Sequence, residues 1–152
     1  MKTVTASLLG LCLLGAAGMA QAAGNCTISL KGDDAMKFDQ KSVTVSASCA
    51  KITIELAHTG KLPAAAMGHN VVITQTKDLA ALARDSVKAG VASDYVPKGD
   101  ARVIAATKLI GGGEKTQITF PGNKLTAGGD YSFFCSFPGH STLMKGALVV
   151  VK

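Results

Sequence analysis

From Cys26 onward the apolar residues of this chain recur at every second position in short runs, and turn-forming residues interrupt the runs at short intervals. Alternation of that kind turns one face of each run toward a core and the other toward water, as in half-buried β-strands. Cys26 to Lys31 sets Ile28 and Leu30 on one face, Ser42 to Ser46 sets Val43 and Val45 inward, and Lys51 to Ala57 alternates Ile52, Ile54 and Leu56 with Thr53, Glu55 and Ala57. Lys31-Gly32-Asp33-Asp34 reads as a turn with a solvated acidic pair. His58 to His69, broken by Gly60, Pro63 and Gly68, reads as a connection leading into a β-branched strand, Asn70 to Gln75.

The period then changes once. Thr76 to Ala89 carries Leu79, Leu82, Ala83 and Val87 at helical spacing, with Asp78 near its start and Gly90 just past its end, which predicts one inserted helix. Ser93 to Asp100 reads as loop, and strands are expected at Arg102 to Ile110, Thr116 to Phe120, Asp130 to Cys135 and Lys145 to Lys152. Seven or eight short strands, one short helix and no β-α-β rhythm predict an all-β fold, an antiparallel Greek-key β-sandwich in a single domain.

The first residues belong to a different pattern. Met1-Lys2, an apolar run from Ala6 to Ala20 and the small-x-small site Ala20-Gln21-Ala22 form a secretory signal peptide over residues 1–22, leaving a domain over residues 23–152. Cleavage after Ala23 fits nearly as well. The run is too short for a membrane anchor and no later stretch reaches the roughly 18 apolar residues a span needs, so a soluble exported protein without membrane insertion is expected. The formal charge is +6, and its lysines are scattered singly. Nucleic-acid binding calls for a concentrated basic stripe, so it is not expected.

Export makes the cysteines informative. Cys26, Cys49 and Cys135 remain after signal removal, an odd number where disulfides form. Cys26 and Cys49 can staple the N-terminal strands, closing a loop worth roughly 3 kcal/mol in the chain-entropy view. Pairing of either with Cys135 is the alternative, disfavoured because Cys135 has ligand-type neighbours: Cys135, His140 and Met144 follow the spacing C-x4-H-x3-M across a loop bent by Pro138-Gly139. Thiolate and thioether select soft metals and imidazole suits several, so copper is the first expectation. A trigonal two-histidine, one-cysteine site needs one more imidazole, and His69, just after Met67-Gly68 at the head of a core strand, is the best candidate. Each of these residues also has an ordinary structural role, Cys135 as a buried thiol and Met144 as a core gap-filler, and the combination lifts them above it.

Met67-Gly68-His69-Asn70, the run from Phe133 to His140 and Leu143-Met144-Lys145-Gly146 resemble the azurins, bacterial periplasmic blue copper proteins of the cupredoxin fold. The resemblance covers nearly all of residues 23–152, the Cys26/Cys49 pair included. It implies that His69, Cys135 and His140 are equatorial ligands of one copper ion, that Met144 and the Gly68 carbonyl are weak axial contacts, and that Asn70 and Phe137 steady the thiolate by hydrogen bonds. It also implies that Met36, Leu62, Ala66, Met67, Phe137, Pro138, Gly139 and Leu143 form an apolar patch around the edge of the His140 ring, where redox partners dock. His58 corresponds to a histidine near the site that is not a ligand. One departure stands out: many azurins carry tryptophan directly after the Gly-His-Asn motif, whereas here the residue is Val71 and the chain has no tryptophan.

A site whose strong positions are all filled by protein leaves none open for substrate. The expected role is therefore a periplasmic carrier, not an enzyme, passing single electrons between partners such as c-type cytochromes and a reductase or dehydrogenase. Copper buffering or delivery is the alternative, and a zinc-stabilised structural sandwich a third. Nothing in the sequence demands more than a monomer.

Overall fold

The computed structural model describes residues 24–152, so the signal expected over residues 1–22 lies outside the described residues. The strands are β1 (Thr27–Gly32), β2 (Ser42–Ser46), β3 (Lys51–His58), β4 (Val72–Gln75), β5 (Ala105–Ala106), β6 (Lys115–Pro121), β7 (Tyr131–Phe134) and β8 (Lys145–Val151), with helices α1 (Ala64–Met67) and α2 (Leu79–Ala89). Two sheets, ordered β1-β3-β6 and β2-β8-β7-β4-β5, face one another. Between them lie Ile28 and Leu30 of β1, Ile52, Ile54 and Leu56 of β3, and Phe133 and Leu148 from the facing sheet, all nearly sealed from water. The alternation in the sequence places these residues inward.

The sandwich is not purely antiparallel, as the alternation alone suggested. β1 pairs with β3 in parallel and β2 with β8 in parallel. Between β1 and β3 the chain crosses to the other sheet as β2 and returns, reversing twice, so the two strands run the same way. The disulfide joins Cys26, just before β1, to Cys49, just before β3, with Cα atoms 5.7 Å apart.

Three local differences from the sequence reading have identifiable causes. The connection before His69 contains α1, where Ala64-Ala65-Ala66, strong helix formers, follow Pro63, whose carbonyl accepts the N–H groups of Ala66 and Met67. The strand expected over Arg102 to Ile110 contracts to β5 and an isolated bridge between His69 and Ile110. Thr107 is responsible in part, because its hydroxyl takes the Val71 N–H (3.0 Å) that a ladder carbonyl would otherwise receive. The Asp100 carboxylate likewise folds back on the N–H of Arg102 (3.0 Å).

The third difference concerns Phe134. Alternation puts Phe134 on the face opposite Phe133, yet both are sealed from water. The helix α2 covers that outer face, packing Leu82, with Leu79 and Ala83, against Val72 and Phe134. The sheet carrying Cys135 is thus clamped between two apolar layers.

Candidate metal centre

Three donor atoms converge at one end of the sandwich. Cys135 follows β7 directly and its N–H donates to the Met144 carbonyl (2.9 Å), which closes the loop bearing His140 into a small ring. Within that loop Gly139 adopts φ +82°, a conformation glycine enters at little cost, and a turn of 3₁₀ helix over His140–Thr142 brings the Met144 N–H to the His140 carbonyl (2.8 Å). His69 comes from the other side, at the head of β4, fixed by reciprocal backbone bonds with Ile110 (2.9 Å each way). Cys135 Sγ lies 4.0 Å from His69 Nδ1, 3.7 Å from His140 Nδ1 and 3.8 Å from the Gly68 carbonyl oxygen. The sulfur and two imidazole nitrogens all lie within 4.8 Å of one another.

These separations suit one ion. Metal–sulfur and metal–nitrogen bonds of about 2.3 and 2.0 Å at trigonal angles put sulfur and nitrogen about 3.7 Å apart. Ring orientation suits it too. The His69 Nε2–H donates to the Asp33 carbonyl (2.8 Å), which leaves Nδ1 as the lone pair turned to the sulfur. His58, stacked on His69 with ring centroids 4.2 Å apart, is engaged at both nitrogens: Nδ1 accepts the Gly60 N–H (3.0 Å) and Nε2 donates to the Met67 carbonyl (2.8 Å). It has no free donor for a metal and is absent from the cluster.

Burial sets the charge state. It pushes the Cys135 thiol up to about 11, against the pull of the Asn70 and Phe137 N–H groups directed at the sulfur. Burial holds His140 down to about 4, helped by the neighbouring His69 and His58 rings, and lowers His69 despite its bond to Asp33. At neutral pH the site therefore offers two neutral imidazoles and a protonated thiol, and a cation that replaces the thiol proton recovers thiolate bonding.

Asn70 binds the surroundings together. Its Oδ1 accepts the Ser136 N–H (2.8 Å), and its Nδ2 donates to the Ser136 hydroxyl and to the Asp94 carbonyl (2.8 Å each). Asp94 and Tyr95 both have positive φ, +57° and +54°, and Tyr95 meets the Phe137 ring edge-on at 5.4 Å. Phe137 in turn lies 4.6 Å from the His140 ring. Neither Asp94 nor Tyr95 was singled out in the sequence, since only their backbone torsions and tertiary position give them a part.

The remaining expected residues are placed as follows. Met144 is fully buried, with its methyl end beside His69 at Gly32. Leu62, Ala66, Gly139 and Leu143 are exposed, and Met36, Met67, Phe137 and Pro138 partly so, while His140 keeps only 3 % exposure. The acidic pair Asp33-Asp34, expected as a solvated turn, does structural work instead: the Asp33 carbonyl holds His69, and the Asp34 carboxylate accepts the N–H groups of Lys61 and Leu62.

A Greek-key sandwich that buries one thiol and two imidazoles at its end defines the class of mononuclear copper proteins with a cupredoxin fold. Comparison with known proteins agrees. Residues 24–151 match the sequence model described as copper binding proteins, plastocyanin/azurin family. The azurin of Bordetella pertussis is 49 % identical over 142 residues, covering 93 % of this chain and 95 % of that one. The azurin of Alcaligenes faecalis is 54 % identical over 123 residues, 81 % of this chain and 96 % of its own. Among solved structures, an azurin (Az-iso2) from Methylomonas sp. strain J superposes with a TM-score of 0.80 at 38 % identity, covering 84 % of this chain and 98 % of that one. The chain belongs to the plastocyanin/azurin family. It is accordingly a blue copper electron-transfer protein and not an enzyme.

Proposed function

We propose that residues 1–22 are a secretory signal and that residues 23–152 form a periplasmic carrier, passing single electrons between partners such as a c-type cytochrome and a reductase or dehydrogenase. One copper ion would be held by His69 Nδ1, Cys135 Sγ and His140 Nδ1, with the Met144 thioether and the Gly68 carbonyl as weak axial contacts. When bound, copper supplies the reversible step between Cu(I) and Cu(II).

The protein's part is positional. The bond from His69 to Asp33 fixes that ring, the N–H groups of Asn70 and Phe137 stabilise negative charge on the sulfur, and the Asn70 side chain joins the ligand loop to the Asp94 segment. A donor set held this firmly moves little when the charge changes, which keeps the barrier to electron transfer low. The observation that carries the reading is the convergence of three buried donors with every strong position supplied by protein. It also favours a carrier over copper delivery, because ligand exchange needs an approachable donor and Cys135 and His69 have no exposure at all. The apolar residues from Leu62 to Leu143 would form the docking rim, since short-lived redox complexes use small interfaces. No helix among the described residues is long and apolar enough to cross a membrane.

The test is repeated cycling of the copper-loaded protein with ascorbate and hexacyanoferrate(III). The carrier reading expects the visible band to bleach and return with one electron per protein. Rapid loss of copper to an acceptor chelator, without electron exchange, would favour delivery instead.

A further inference from the structure

On the side of the metal end that carries Leu62 and Met36, three carboxylates are engaged by loop backbone: Asp34 accepts the N–H groups of Lys61 and Leu62 (2.8 and 3.3 Å), Asp33 that of Ala35 (3.0 Å), and Glu114 that of Gly111 (2.7 Å). Each is spent on closing a turn, with backbone donors against its charge. Lysines face the other way. Lys41 Nζ reaches the Leu143 carbonyl (3.0 Å), which places its ammonium at the margin of the apolar rim. Lys61 and Lys37 adjoin Leu62 and Met36 of the same rim, and both are exposed. Among the described residues neither the Lys41 nor the Lys61 ammonium has a carboxylate within 4.0 Å, and Lys37 pairs with Asp33 only at 3.7 Å with 62 % of its side chain exposed.

We infer that the rim around Leu62, Phe137 and Leu143, flanked by Lys37, Lys41 and Lys61, docks a redox protein whose own docking face carries carboxylates. The inference rests on the carrier reading and names the chemistry of its partner. A small apolar contact lets the complex dissociate quickly, while opposite charge raises the rate of encounter without tightening it much. Steering of this kind raises association rates by about 10 to 10³ and fades as salt shortens the Debye length to about 10 Å at 0.1 M. A second copy of this chain presents the same lysines and is repelled, so self-exchange should quicken with added salt.

The test uses charged one-electron probes on the copper-loaded protein. Hexacyanoferrate(III) takes one electron from the Cu(I) form, giving Cu(II) and iron(II), and stopped flow gives the rate from low to high ionic strength. The rate should fall about tenfold as salt rises, and the cationic oxidant tris(phenanthroline)cobalt(III) should show the opposite slope. Paired substitutions Lys41→Glu and Lys61→Glu should flatten both slopes. The pair Lys51→Glu and Lys152→Glu carries the same charge change at the far end, since β3 starts at Lys51 opposite Pro121 and β8 ends beside Ser46, and should alter them little. Equal effects of the two pairs, or no salt dependence, would overturn the inference while leaving the carrier reading intact. A wild-type protein with no reducible blue form would overturn both, and the same absorbance trace reports it.

Discussion

Gly32 shows how little room the site leaves at the scale of one residue. A Cβ there would stand 2.6 Å from His69 Cδ2 and 3.3 Å from the Met144 methyl carbon. His69 cannot yield freely, because its Nε2 is tied to the Asp33 carbonyl and its backbone to Ile110. Gly32→Ala should therefore lower stability by about 1 to 3 kcal/mol, as overpacking does, and weaken copper binding. Thermal melts and a copper titration check this; an unchanged pair of values would contradict the geometry. Residue types announced part of this site and hid the rest. Cys135, His140 and Met144 are legible because their side chains and spacing carry chemistry, whereas His69 needs the fold to bring it 66 positions along the chain to Cys135. The Asp33 carbonyl was not legible at all, since any residue offers a carbonyl and only the turn aims it.

At the scale of elements, α2 covers the outer face of β4 and β7 through Val72 and Phe134. Leu82 is sealed from water beneath it, so Leu82→Ala should cost about 2 to 5 kcal/mol while leaving the visible spectrum of the folded copper form unchanged. A spectrum altered as much as the stability would show that α2 shapes the ligands directly. The helix itself was legible from its period, but its consequence for Phe134 was not, because alternation cannot reveal that a sheet is covered on both faces. The segment Arg102 to Ile110 failed as a strand for a related reason: side chains of Asp100 and Thr107 took backbone partners that a ladder would have used.

The ion pairs at the helix end give a second prediction at that scale. Arg102 bonds the Asp100 carboxylate and also Asp85 (2.8 Å), linking α2 to the loop before β5. The Arg102 guanidinium, with the Arg102 N–H, holds the Asp100 carboxyl down to about 2, from an ordinary value of 3.8. A carboxyl lowered on folding contributes stability above its unfolded value and loses it as pH falls toward the folded one. The loss should fall between about pH 4 and pH 2. Arg102→Gln keeps the backbone bond but loses the guanidinium, so it should shrink this segment of the acid limb in a plot of melting temperature against pH, and an identical limb in the variant would count against it.

Across the whole molecule, a rigid two-layer frame with a sealed donor set couples metal binding to protons. With Cys135 near 11 and His140 near 4 in the metal-free protein, uptake of Cu(II) at pH 7 should release about one proton, that of the thiol. Calorimetry in buffers of different ionisation enthalpy measures it, and uptake without proton release would mean that Cys135 is not the anionic donor. The sign follows from competition: the proton and the metal share the sulfur, so apparent affinity rises with pH up to the thiol value. The sequence carried the sandwich, the disulfide and the class of metal at this scale, while the parallel pairs β1 with β3 and β2 with β8 needed the topology.

The proposed copper site stands on Cys135 acting as a donor together with His69 and His140. Stoichiometric Cu(II) added to the metal-free protein, followed by visible absorption in wild type and in Cys135→Ser, tests it most directly. An intense blue band that saturates at one equivalent should form in the wild type and be absent from the variant. A wild-type protein that stays colourless with Cu(II), or a Cys135→Ser variant that stays intensely blue, would contradict it.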